Sequence, residues 1–158
     1  MKIASVNELK AELNTLSAAE LVEIAVRLIK YKKDNKELLN YMLFQSQDEP
    51  GYIDLVKEEI SDSFTEVNKT NLYFAKKTIR KILRLVNKYS KHTGSKQAEI
   101  ELLLHFCAVL KQSGIRIDKN TALNNLYHSQ IKKIEKTIAT LHEDLQYDYR
   151  KELDKLSG

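Results

Sequence analysis

Glu101 and His105 stand four residues apart in an apolar segment. That spacing puts a carboxylate and an imidazole on one helix face and offers half of a metal or acid–base site. The other half is missing. The chain has no paired Glu-x-x-His motif of the carboxylate-bridged bundles, no His-Glu-x-x-His, and a single cysteine, Cys107, which excludes a Cys-rich zinc site. His128 and His142, fourteen apart, can face the same way, but no further ligand pair joins them. A histidine inside an apolar helix is more often a satisfied core group than a ligand. Cys107, inside the apolar run 102–110, reads as a buried thiol and not as a nucleophile. The four glycines stand alone, so no glycine-rich phosphate loop is present. The expectation is no metal, no cofactor and no enzymatic activity. A large pocket lined by Glu101, His105 and Tyr127 would reopen that question.

The chemistry that the sequence does concentrate is cationic. Residues 69–133 hold 14 basic and 3 acidic residues, against 8 and 13 in residues 1–68 and 4 and 6 in residues 134–158. The overall +4 is therefore a remainder. Between Lys69 and Lys96 no acidic residue occurs. At about 100° per residue, Lys76, Lys77, Arg80, Lys81, Arg84, Lys88 and Lys91 share one arc, with Tyr73 inside it, while Ile79, Ile82, Leu85 and Val86 fill the other side. Like charges at i,i+4 repel by a few tenths of a kcal/mol per pair, so such a stripe points to something anionic opposite. Three occupants fit: nucleic acid, whose phosphates release counterions to Lys and Arg and whose bases can stack on Tyr73; an acidic protein; or the chain's own Glu58, Glu59, Asp62 and Glu66 on the preceding helix.

The elements that position these residues are helices. One proline and four glycines cannot supply the tight turns of an all-β or α/β chain. Ser5-x-x-Glu8 and Ser17-x-x-Glu20 are capping boxes, and Asp34 with Glu37 marks a third start. Pro50-Gly51 predicts a loop over 45–51, followed by helices over 52–67, 70–91 and 96–112. The last of these is apolar nearly all round and belongs at the centre of the packing. From residue 119 to 158 the steps of three and four predict one long helix, with a break near Asn124-Asn125 and His128, which are weak helix formers. The reading is an all-α compact bundle of six to seven helices in one domain, 1–158. If the long helix projects from the bundle, Ile138, Leu141 and Leu145 form an interface for a homodimer.

The stretch Glu8-Leu9-Lys10, Leu13 and Leu16-Ser17-Ala18-Ala19-Glu20-Leu21-Val22 resembles the opening of a family of small uncharacterised bacterial helical proteins. In that family a short helix and a Leu-Ser break precede a helix that opens with Glu-Leu. The resemblance rests on capping boxes over the first ~35 residues and implies a helical fold without an activity. The same stretch resembles the short helix-turn-helix of SAP-like DNA-binding motifs, whose following basic residues are partly matched by Lys30, Lys32 and Lys33. No functional residue is carried over. The opening residues lack the apolar region of a signal peptide and no run suits a membrane span, so the expected location is cytoplasmic. The function expected is that of a non-catalytic binding or scaffolding module acting through protein–protein contacts or self-association. The second reading is nucleic-acid binding through Lys77, Lys81, Arg84, Lys88, Lys91 and Tyr73.

Overall fold

In the computed structural model, which describes residues 1–157, all regular structure is helical. Eight α-helices form, one more than the upper sequence expectation, because the C-terminal segment is two helices. The chain divides into two compact units, residues 1–44 and 45–158.

The N-terminal unit contains α1 (Val6–Leu13), α2 (Ala18–Tyr31) and α3 (Lys33–Asn40). Ser5 makes the full capping box: its amide donates to Glu8 Oε2 at 2.7 Å and its Oγ accepts from the Glu8 amide at 3.3 Å. Ser17 Oγ accepts from the Glu20 amide at 3.2 Å. The third start differs from expectation. α3 begins at Lys33 after an extended Lys32, with no side-chain cap, and Asp34 sits in its first turn. Asn35 Nδ2 instead donates back to the Leu28 carbonyl at 2.8 Å and closes the α2–α3 hairpin. None of the three helices contains a buried residue. A π-helical turn, Tyr41–Gln45, follows.

The C-terminal unit contains α4 (Glu49–Thr65), α5 (Leu72–Thr93), α6 (Lys96–Gln112), α7 (Thr121–Ile138) and α8 (Glu143–Ser157), with a 3₁₀ turn at Ile117–Lys119. α6 lies in the middle and packs on α4, α5, α7 and α8. Its bounds are those expected, and it buries Ile100, Leu102, Leu103, Leu104, Phe106 and Leu110. Pro50 does not delay α4. It occupies the first turn, where its missing N–H removes no helical bond. Asp48 caps that turn, Oδ1 accepting from the Gly51 amide at 3.1 Å. Asn71, Ser95 and Asn120 cap α5, α6 and α7, and Gly94, at φ +63°, ends α5 in the left-handed region that glycine enters without strain.

The C-terminal break lies at residues 139–142, not at 125–128. α7 runs straight through Asn124 and Asn125 because Leu123, Tyr127, Ile131, Ile134 and Ile138 remain buried on its inner side. The chain leaves the helix through i→i+3 bonds, Thr140 amide to Thr137 carbonyl and Leu141 amide to Ile138 carbonyl. Gln146 Nε2 then donates to the Leu141 carbonyl at 2.7 Å. Tyr127 reaches across from α7 and donates its hydroxyl to the Leu156 carbonyl at 2.7 Å, tying down the end of α8. No described helix is long and apolar enough to cross a membrane.

Candidate interaction surfaces

α5 carries the cationic stripe on the face opposite Ala75, Ile79, Ile82 and Val86, all of which are buried. Lys77, Arg80, Lys81, Arg84 and Lys91 are exposed, Lys88 half-buried. A shallow depression is lined by Lys77, Thr78, Arg80, Lys81 and Arg84. Tyr73, 55% exposed, sits in the first turn of α5 beside Phe74, and the Lys77 ammonium lies 4.8 Å from the centre of its ring. Lys88 Nζ stands 5.1 Å from the centre of the Tyr89 ring. Among the described residues no acidic side chain forms an ion pair with Lys77, Lys81, Arg84 or Lys91. The tie between α4 and α5 is instead Tyr89, whose hydroxyl donates to Glu59 Oε1 at 3.3 Å.

The expected interface at the C-terminal helix does not stand as read. Ile138 is fully buried, the last core residue of α7, because the chain turns there and does not project. Leu141 is half-buried in the turn, and Leu145 on α8 is 36% exposed. The exposed apolar surface lies elsewhere, in the N-terminal unit. α2 exposes Leu21, Val22, Ile24, Val26, Leu28 and Tyr31, Val22 to 61% and Leu28 to 54%. α1 adds Val6, Leu9 and Leu13, and the π-helical turn adds Met42, Leu43 and Phe44. Amphipathic spacing on α2 marks an apolar side and is silent about what covers it.

Glu101 and His105 line a cleft of about 490 Å³ with Lys57, Lys111, Glu152 and Lys155, and Tyr127 is not part of that lining. Two of its polar side chains, His105 and Lys111, tie helices together. His105 Nε2 lies 2.8 Å from Ser61 Oγ, and the Lys57 carbonyl also hydrogen-bonds to the ring. Lys111 Nζ donates to the carbonyls of Lys155 and Leu156 at the end of α8. Burial raises the Glu101 carboxyl pKa above its ordinary value, Lys57 opposes the rise, and Glu152, Asp54 and Glu49 add to it. Burial and then the Lys57 charge lower the His105 pKa. Cys107 is buried and its thiol is pushed up to about 12, far from a reactive thiolate. His128 bonds within α7 to the Asn124 carbonyl, and His142 lies 3.5 Å from Asp144 in the turn before α8. Among the described residues no group of three His, Cys, Asp or Glu side chains is arranged to hold a metal ion.

Comparison of the chain with models of protein families, with curated proteins and with solved structures finds no match in any of the three.

Proposed function

We propose that this chain is a non-catalytic helical binding module that works through protein–protein contacts made by its N-terminal unit. The observation that carries the reading is the state of α2: fourteen residues, ten of them apolar, and none buried. An apolar helix surface left in water is unfavourable by roughly 25 cal/mol per Å², and monomeric proteins rarely keep large contiguous patches of it. The C-terminal unit, in contrast, buries a core of its own around α6. The test is site-specific photo-crosslinking in cells, with a photoreactive residue at Val22, at Leu28, and at exposed Lys132 on α7 as the control. Discrete adducts at positions 22 and 28 but not 132 are expected. No adduct, or the same pattern at all three positions, overturns the reading.

A second reading is favoured by one specific feature, the cationic face of α5, on which Lys77, Lys81, Arg84 and Lys91 form no ion pair among the described residues and Tyr73 stands among the cations. Under it, Lys77, Lys81, Arg84, Lys88 and Lys91 track a phosphate backbone and Tyr73 stacks on an unpaired base.

A further inference from the structure

We propose that the occupant of the α2 surface is a second copy of this chain, docked antiparallel on α2 about a two-fold axis. The inference rests on the binding-module reading above and names its partner. It begins with spacing. Leu21, Ile24, Leu28 and Tyr31 recur at steps of three, four and three, the repeat with which two helices present a continuous seam to each other. These four side chains are all exposed, whereas Ala25 and Ile29, at neighbouring positions on the helix surface, are half-buried. The seam is therefore the open flank of the hairpin that α2 forms with α3.

Charge selects the partner and its direction. The charged residues of α2 divide by sign along its length: Glu20 and Glu23 in the N-terminal half, Arg27 and Lys30 in the C-terminal half. Laid antiparallel, the acidic half of one copy runs along the basic half of the other, at both ends at once. Laid parallel, like charge faces like. The helix dipoles favour the same antiparallel arrangement. A surface complementary to itself under a two-fold rotation is the requirement for an isologous dimer, the commonest form of soluble assembly. Each of the four charges is solvent-exposed, so each contributes little to the stability of the single chain and acts mainly in selecting the partner.

The experiment uses the full-length chain. Sedimentation velocity from 1 to 100 μM is expected to show a concentration-dependent dimer. The double charge variant R27E/K30E makes α2 wholly acidic, and E20K/E23K makes it wholly basic. Neither touches the seam or the core, so both are expected to fold, as circular dichroism will show. Each alone is expected to dimerise roughly tenfold more weakly than the parent chain, and the two mixed are expected to recover the association. Direction is read by disulfide trapping in a C107S background: the L21C and Y31C chains, mixed, are expected to cross-link to each other in preference to the 21–21 and 31–31 pairs. A chain that stays monomeric at 100 μM overturns the proposal, as does a preference for the 21–21 link. If the parent is monomeric while positions 22 and 28 still give discrete adducts to another protein in cells, self-association fails and the binding-module reading stands. If those adducts are absent too, both fall.

Discussion

The Ser61 hydroxyl on α4 lies 2.8 Å from Nε2 of His105 on α6. Ser61 and Lys57 are one helical turn apart, so the imidazole is held by two groups of the same turn, a hydroxyl and a carbonyl. This makes His105 a fastener between α4 and the central helix. The Glu101–His105 spacing that suggested half of a metal site places both groups in one cleft beside Lys57.

His105 gives the chain an acid-side sensitivity. Its folded pKa lies below its unfolded value of about 6.5, because burial and Lys57 oppose the charged ring. The unfolded chain then binds more protons in that interval, and stability rises with pH. The contribution is complete above the unfolded value and is lost as pH falls from there through the folded one. H105Q is expected to flatten the dependence of Tm on pH between 7.5 and 5, as followed by thermal melts. A slope unchanged from the parent would show that another group carries it.

Glu101 has the opposite sign. Its folded pKa is raised, chiefly by burial, so the folded chain holds the proton more tightly than the unfolded one. Stability from this group is complete below about 4.5 and is lost as pH rises through the folded value. At pH 7.5 the carboxylate is a burden that E101Q relieves. The variant is expected to melt above the parent at pH 7.5 and level with it at pH 4. A lower Tm at pH 7.5 would mean that the Lys57 attraction outweighs desolvation.

What the sequence disclosed and what it withheld follow from the range of the physics involved. Capping is local, within four residues, and Ser5 and Ser17 were legible for that reason. The central helix was legible because an all-apolar surface has only one stable location. The break at 139–142 was not, since no glycine or proline marks it. It is set by Gln146 and the docking of α8 onto α7 and α6, which are tertiary facts. Asn124 and Asn125 misled in the converse way: their low helix propensity amounts to tenths of a kcal/mol, less than burying Leu123 and Tyr127 gains. On α5 the periodicity separates cations from the buried Ala75, Ile79, Ile82 and Val86, but which of those cations meet a carboxylate depends on where α4 places its acidic side chains. The apolar stripe of α2 has the same amphipathic signature whether covered or bare, so periodicity could not tell a core from a contact surface.

Two leucines separate core from contact surface by measurement. Leu103 on α6 is fully buried, and L103A is expected to destabilise the chain by about 2–5 kcal/mol, from lost transfer energy and the cavity left behind. Leu28 on α2 is 54% exposed, and L28A, assayed by urea denaturation below the concentration of self-association, is expected to change stability by about 0.5 kcal/mol or less. Comparable losses for the two would place Leu28 in a core.

The cap of α4 depends on a glycine. A Cβ added at Gly51 would fall on the Asp48 carboxylate that accepts its amide. D48A is expected to destabilise by about 0.5–2 kcal/mol, the usual range for loss of an N-cap. G51A is expected to lose much of the same energy by displacing that carboxylate, although alanine is intrinsically the better helix residue. In a double-mutant cycle by urea denaturation, the two losses should overlap and not add. Full additivity would mean that Gly51 serves a purpose other than the cap.

The cationic face of α5 gives the sharpest test between the two functional readings. If Lys77, Lys81, Arg84, Lys88 and Lys91 all neutralise phosphates, the log–log slope of affinity against salt is about −4.5 for a duplex and about −3.5 for a single strand. Reversing two of the five in K81E/R84E removes two contacts and adds two repulsions, so binding should fall below detection at 100 mM salt. Neither residue is buried or ion-paired among the described residues, so the variant should melt with the parent. Y73A separates the strands: loss of a stacked base weakens single-strand binding by about 1–3 kcal/mol and leaves the duplex nearly untouched. Fluorescence anisotropy with a labelled 20-mer, single- and double-stranded, at 20 to 200 mM salt reads all three quantities. No binding of either strand form at 20 mM salt excludes the nucleic-acid reading.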